Sequence, residues 1–196
     1  SFGIFDNLIN LKIGNSVIVI GCGGVGINII NAAKFKGAYP VIGIDISGAK
    51  ITFAKKNGAD LTYKISKNNS LEQILLKIKK KFPIDYLIDN TGNVDVINKS
   101  YRLIDKRSTL ILVGVPNYKK NINIHSLDMH FGKQIIGVEG GNVNPELDFK
   151  RYANYFREKK YHPKKLITKI FSLEDVNKAI NLMGSNKTKG RLILKC

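Results

Sequence analysis

Gly21, Gly23 and Gly26 stand in the spacing G-x-G-x-x-G, and the residues just before them, Ser16-Val17-Ile18-Val19-Ile20, are dominated by β-branched types. Apolar side chains then recur at helical spacing over 27–36, so the local reading is strand, tight glycine turn, helix. Such a turn has a definite chemical use. Gly21 lets the chain leave the strand sharply, Gly23 leaves bare backbone for an anion, and Gly26 lets the helix close on the strand. Unpaired N–H groups and the dipole at the helix start favour that anion, here a pyrophosphate.

A second strand, Pro40-Val41-Ile42-Gly43-Ile44-Asp45, ends in a carboxylate, close to the spacing of about 20 residues beyond the glycines that dinucleotide sites use. A carboxylate there accepts from both ribose hydroxyls of an adenosine and repels a 2′-phosphate, which selects NAD over NADP. A lone G-x-G-x-x-G also marks ordinary turns. The strand before it and Asp45 after it make the stretch a dinucleotide site.

These residues need a sheet to hold them, and the chain has the length for one. Its 196 residues support one main core with at most a small appendage. Contents of 43% apolar and 24% charged residues are those of a soluble globular protein. No run reaches the roughly 18 apolar residues that span a membrane. Ser1-Phe2-Gly3-Ile4-Phe5-Asp6 lacks the basic start and long apolar centre of a signal peptide. The absence of an initiator Met points to a piece of a longer chain, and the expected location is the cytoplasm.

Residues 1–15 read as a short amphipathic helix with Ile4, Phe5, Leu8, Ile9 and Leu11 on its apolar side, closed by Gly14. After the second strand, Ser47 is read as the cap of a helix over 47–57, and a short strand covers 61–64. Ser70-Leu71-Glu72-Gln73 resembles a capping box, opening a helix with Leu71, Ile74, Leu75 and Ile78 as its buried stripe. Strands follow at 84–90, 109–113 and 134–138, with a helix over 94–104 and a helical turn over 127–131. Short apolar runs alternating with helices predict an α/β fold, a doubly wound parallel six-stranded sheet of the Rossmann type, in strand order 3-2-1-4-5-6. The remainder reads as a small C-terminal helix-strand extension: helix 145–160, strand 166–171, a capped helix 172–183 and strand 190–194. The expected division is a NAD(P)-binding domain over 1–141 and a C-terminal segment over 142–196.

The formal charge of +17 raises the question of nucleic acid. The lysines are spread along the chain, and the densest run, Lys77-Ile78-Lys79-Lys80-Lys81, falls at a helix end where cations meet the dipole favourably. A solvated helix end is therefore preferred, with no nucleic-acid partner. Cys22 and Cys196 cannot form a disulfide framework or a four-cysteine zinc site and are read as free thiols.

With these pieces in order, nearly the whole chain resembles the zinc-type medium-chain alcohol dehydrogenases. The matching stretches are residues 17–26, Gly37-Ala38, Ile44-Asp45-Ile46 with Lys50, Asp85-Tyr86-Leu87-Ile88-Asp89-Asn90-Thr91-Gly92-Asn93, Leu112-Val113-Gly114-Val115-Pro116 and residues 132–141. The tail adds Leu166-Ile167-Thr168, Val176-Asn177-Lys178-Ala179 and Gly190-Arg191. The resemblance implies that Gly21, Gly23, Gly24, Val25 and Gly26 hold the pyrophosphate of NAD, and that Asp45 takes the adenosine ribose with Lys50 beside it. Thr91 and Gly92 would line the cleft, backbone at Val113, Val115, Val138 and Gly140 would frame the nicotinamide, and Arg191 would reach the pyrophosphate. Arg191 is equally readable as a surface arginine, and Lys50 as a solvated one.

In that family the catalytic zinc ligands, the four-cysteine lobe and the proton relay precede the glycine motif, and none of those residues is in this chain. The resemblance thus implies the coenzyme-binding portion of an NAD-dependent dehydrogenase of alcohols or polyols, able to bind NAD but not to turn over substrate by itself, with zinc held elsewhere and no catalytic or metal residue here. His125, His130 and His162 are read as surface or structural histidines, because no convergent ligand set can be assembled from them. Strand 134–138 would pair edge to edge in a homodimer.

Two rivals are weighed. A short-chain dehydrogenase would use Tyr-x-x-x-Lys, matched by Tyr155 with Lys159 and Tyr161 with Lys165, but both lie beyond the sixth strand. A non-enzymatic nucleotide-sensing domain would also open with strand, glycine turn and acid. The strand end Asp89-Asn90-Thr91-Gly92 and the tail fit the dehydrogenase better.

Overall fold

Val17–Ile20 (β1) is the centre of the sheet, and its four side chains are buried alternately on opposite faces. Val17 and Val19 join one core, while Ile18 and Ile20 join the other. Burial on both faces is the condition that a continuous β-branched run anticipates in a parallel sheet. The computed structural model describes residues 1–158, 163–185 and 188–196.

Around β1 lie Val41–Asp45 (β2), Leu61–Lys64 (β3), Tyr86–Asp89 (β4), Thr109–Leu112 (β5) and Gln134–Gly137 (β6). All pairings are parallel and the order is β3-β2-β1-β4-β5-β6, as expected from the alternation of strands and helices. In-phase register sets Ile20 beside Ile44 and Asp89, so the ends of β1, β2 and β4 come level at one edge. The order reverses across β1, opening a crevice between β1 and β4 at that edge.

Helices Gly24–Phe35 (α1) and Gly48–Lys56 (α2) contribute Ile27, Ile30 and Ala54 to one core. Leu71–Lys79 (α3) and Val94–Leu103 (α4) contribute Leu71, Ile74, Leu75, Ile78 and Ile97 to the other. Each of these leucines and isoleucines is worth about 1.5–3 kcal/mol of transfer free energy, which holds the helices against the sheet. The capping box of α3 forms as read: Gln73 N–H donates to Ser70 Oγ at 3.3 Å, and Ser70 N–H to Gln73 Oε1 at 2.8 Å. In the lysine run that ends this helix, Lys79 pairs with Asp105 at 2.8 Å and donates to the Leu103 carbonyl at 2.9 Å.

One local expectation needs correction and another holds only in part. Residues 1–15 do not form one helix; Ile4–Leu8 makes a single wide π-type turn, and Lys12 N–H donates instead to Asn15 Oδ1. Ser47 stands at the N-cap position of α2, as read, but its side chain makes no capping bond; its N–H donates to Asp45 at the strand end.

Ser126–His130 (α5) is the expected helical turn before β6. The tail supplies Pro145–Arg157 (α6), Ile167–Ser172 (β7), Val176–Gly184 (α7) and Arg191–Lys195 (β8). A 3₁₀ turn, Leu173–Asp175, precedes α7, and Ser172 makes no capping bond to it. β7 and β8 pair in parallel as a separate two-stranded sheet. The tail is joined to the rest of the chain: Leu166 is buried in the same core as Val17 and Ile27, and α6 is tied to the first turn by Asn7 Nδ2 donating to Asp148 Oδ2 at 2.8 Å.

Candidate functional site

The crevice is built on the Gly21–Gly26 turn. Gly21 has φ +92°, donates its N–H to the Ile44 carbonyl at 2.8 Å, and takes a 3.3 Å bond from Asn90 Nδ2 on its own carbonyl. Gly26 lies directly under that carbonyl, which a Cβ would strike. Gly23 caps α1 with no side chain, and a Cβ there would meet nothing within 4 Å. The helix thus opens beside open space at Gly23, and its first N–H groups have no partner within the helix, the condition for holding a phosphate.

Asp45 is buried at the end of β2, and its carboxylate accepts from Cys22 N–H and Ser47 N–H, both at 2.8 Å. These two bonds leave acceptor capacity on both oxygens for ribose hydroxyls. Asp45 lines a hollow of about 330 Å³ with Ile20, Gly21, Gly23, Lys50 and Thr91. Ile46, Ile65 and Val96 give it an apolar side where a flat aromatic ring could rest, and Asn90 and Asn93 complete the lining.

A second hollow, of about 300 Å³, lies on the other flank of the glycine turn and is lined by Val25, Val113, Val138, Gly140 and Arg191. Between the two, Arg191 crosses Gly24, where a Cβ would come 2.9 Å from Arg191 Cδ and Nε. Of the fourteen cofactor residues expected from sequence, Gly21, Gly23, Asp45, Lys50 and Thr91 thus meet in one hollow and Val25, Val113, Val138, Gly140 and Arg191 in the other. Gly24 and Gly26 line neither hollow: Gly24 lies against Arg191 and Gly26 against the Gly21 carbonyl. Gly92 stands behind Thr91 against the Val115 carbonyl, and the Val115 side chain projects into solvent.

Asp89, at the end of β4, is fully buried and accepts from Thr91 Oγ1 at 2.6 Å, Thr91 N–H at 3.2 Å and Gly92 N–H at 2.9 Å. Burial holds its carboxyl above the ordinary value, and these three bonds offset only part of that rise. Asn93 caps α4 through bonds to Asp95 N–H and Val96 N–H. A larger cleft of about 620 Å³ runs between α4 and residues 123–128, away from the glycine turn, and holds none of the expected residues.

A family model described as zinc-binding dehydrogenase matches residues 24–158. The chain belongs to that family. It is 28% identical over 95% of its length to the probable S-(hydroxymethyl)glutathione dehydrogenase 1 of Schizosaccharomyces pombe, of which it covers 49%. It is 27% identical over 93% of its length to alcohol dehydrogenase 2 of Oryza sativa subsp. japonica, covering 48%. The chain spans about half the length of the curated relatives it matches. In fold it is similar to benzyl alcohol dehydrogenase of Acinetobacter calcoaceticus, with a TM-score of 0.89 at 21% identity over 99% of this chain and 53% of that one. The 2R,3R-butanediol dehydrogenase of Bacillus subtilis gives 0.83 at 20% identity over the whole chain and 55% of its own.

Among the described residues, no three His, Cys, Asp or Glu side chains converge as metal ligands, and no helix is long and apolar enough to cross a membrane. His125 and His130 are exposed on and beside α5. Of the short-chain motif matches, Lys159 and Tyr161 lie outside the described residues, as does His162; Tyr155 stacks among Phe2 and Phe35. Cys22 and Cys196 are both free. The cofactor residues expected from sequence did not include Asn90, Asn93, Ile46, Ile65 or Val96, although Asn90, Asn93 and Ile46 stand in the stretches that carry the family resemblance. Their position at the carboxyl ends of adjacent strands, or one turn beyond, was the available signal.

Proposed function

We propose that this chain holds NAD across the carboxyl ends of β1, β2 and β4, as the coenzyme-binding part of an oxidoreductase acting on an alcohol or polyol. The observation that carries the reading is the pair of hollows either side of one glycine turn, with a carboxylate in the first and an arginine at the second. Adenine would rest among Ile46, Ile65 and Val96, its ribose on Asp45, the pyrophosphate on the open start of α1 beneath Arg191, and the nicotinamide between Val113, Val138 and Gly140. When bound, the nicotinamide supplies the hydride acceptor. The residues here orient it, neutralise the pyrophosphate through Arg191 and the α1 N–H groups, and exclude water with valines.

On this reading residues 1–141 are the dinucleotide domain, and 142–196 return toward a substrate-binding half supplied by the rest of the protein, which would also hold the zinc that the family name implies. The exposed edge of β6 would join two copies in a homodimer. Calorimetric titration of the chain with NAD and NADP tests the coenzyme reading. NAD should bind more tightly than NADP, Gly23→Val should abolish binding, and Asp45→Ala should weaken NAD at least tenfold. Failure of both nucleotides to bind, or binding indifferent to Gly23→Val, overturns it.

A further inference from the structure

Asp89 touches neither hollow, yet backbone from both walls of the crevice converges on it. Its carboxylate holds Thr91 and Gly92, and its carbonyl accepts from Val113 N–H at 2.8 Å and Gly114 N–H at 3.0 Å. Thr91 lines the hollow that contains Asp45, and Val113 lines the hollow that contains Arg191.

The two turns also interlock without side chains between them. Gly92, at φ +64°, lies so close to the Val115 carbonyl that a Cβ would collide with it, and a Cβ on Gly114 would collide with Gly92 N. Displacing either turn therefore displaces the other.

We propose that Asp89 is a positioning residue that couples the two halves of the crevice, so that the Thr91 wall and the Val113 wall take up their places together. The inference rests on the dinucleotide reading for its ligand and on the ligand-free geometry for its mechanism. A carboxylate suits this position chemically. It offers two acceptor oxygens and no donor to two N–H groups and a hydroxyl, whereas an amide would turn an NH₂ toward one of the N–H groups. Burying it uncompensated would be costly, so those three bonds are also what keep it there.

Asp89→Asn in the full chain tests this, read first by amide hydrogen exchange without ligand. Exchange should accelerate at least tenfold at Gly92 and also at Val113 and Gly114, while Ile18, Val19 and Ile20 keep their protection. Acceleration confined to Thr91 and Gly92, or spread evenly over the sheet, overturns the coupling whether or not NAD binds. Calorimetry then compares ligands: affinity for NAD should fall at least tenfold and affinity for AMP by a clearly smaller factor, since AMP meets only the Thr91 wall whereas NAD meets both. Equal losses for both overturn the proposal, and a wild-type chain that ignores NAD overturns the dinucleotide reading while leaving the exchange result to judge Asp89. Should Asp89→Asn not fold, Thr91→Val removes the hydroxyl that donates to Asp89, and with it the acceptor of Asn93 N–H, while keeping the Thr91 and Gly92 N–H bonds to the carboxylate. It should give a smaller acceleration in the same direction at Gly92 and Gly114, and no change at Gly114 overturns the coupling.

Discussion

Arg191 lies across Gly24: a Cβ on the glycine would come 2.9 Å from Arg191 Cδ and Nε and 2.8 Å from the Gly190 carbonyl. The last strand of the tail is thereby latched to the first turn of α1. Gly24→Ala should push both groups away, loosening the tail and weakening NAD together. Arg191→Ala should leave the fold intact and cost about tenfold in NAD affinity, near 1.4 kcal/mol, the scale of one charge-assisted bond. Because that contribution is ionic and exposed, the wild-type advantage should shrink between low and high salt. Calorimetry at two ionic strengths checks it, and an unchanged affinity in the variant refutes the role.

The glycines of the turn separate stability from binding. Gly26→Ala forces a methyl against the Gly21 carbonyl, and α1 must move to admit it. The expected loss is about 2 kcal/mol, a drop in Tm of roughly 4–8 °C at this chain length. Gly23→Ala meets open space and should leave Tm within a degree or two, yet its methyl enters the place proposed for pyrophosphate. Thermal melts with and without NAD distinguish the two: Gly26→Ala lowers the melt in both, and Gly23→Ala removes only the stabilisation by ligand.

The strand order and most of the crevice were legible because they rest on local signals. β-Branched runs, a glycine turn and an acid at a strand end each carry their meaning in a few adjacent residues. The first 15 residues misled because Ile4, Phe5, Leu8, Ile9 and Leu11 are apolar for tertiary reasons: Ile4 and Phe5 are buried in the core, and Leu8, Ile9 and Leu11 pack against it without continuing the helix. Ser47 was legible as the N-cap of α2 by its type and place, but residue type alone does not show whether the hydroxyl bonds the helix start, and here it does not. Asp89 could be seen at a strand end, but its hold on Val113 and Gly114 crosses to the next strand and has no mark in sequence spacing.

Asp6 joins the first turn to both α1 and α6. Its nearly buried carboxylate pairs with Lys36, accepts from Tyr152 Oη at 2.9 Å and lies 3.1 Å from Arg151 Nη2. Asp6→Ala strips the acceptor from a half-buried hydroxyl and should cost about 1–3 kcal/mol. Arg151→Ala should cost less, within about 1 kcal/mol, because that side chain is largely solvated. Urea midpoints order the two variants, and a larger loss for Arg151→Ala contradicts this account of the clamp.

Cys22 gives the chain a defined weakness in alkali. Its thiol is fully buried against the Ile44 carbonyl at 3.6 Å, and burial, reinforced by the Asp45 charge, pushes it from 9.0 up to about 12. An unfolded chain releases this proton near its ordinary value while the folded chain keeps it, so the folded state binds more protons through that window. Stability is therefore complete below about pH 9 and falls as pH rises toward 12, by at most about 1.4 kcal/mol per pH unit for one proton. Tyr152, held up at about 12 chiefly by burial, adds the same sign from its ordinary 10.0 upward. Urea midpoints at pH 8 and 10.5 should fall in the wild type and fall less in Cys22→Ala, which keeps only the tyrosine contribution. Alkylation gives a second reading at pH 8: Cys196, exposed, should label in the native protein and Cys22 only after denaturant is added. Rapid native labelling of Cys22, or an identical pH slope in Cys22→Ala, refutes the thiol as the source.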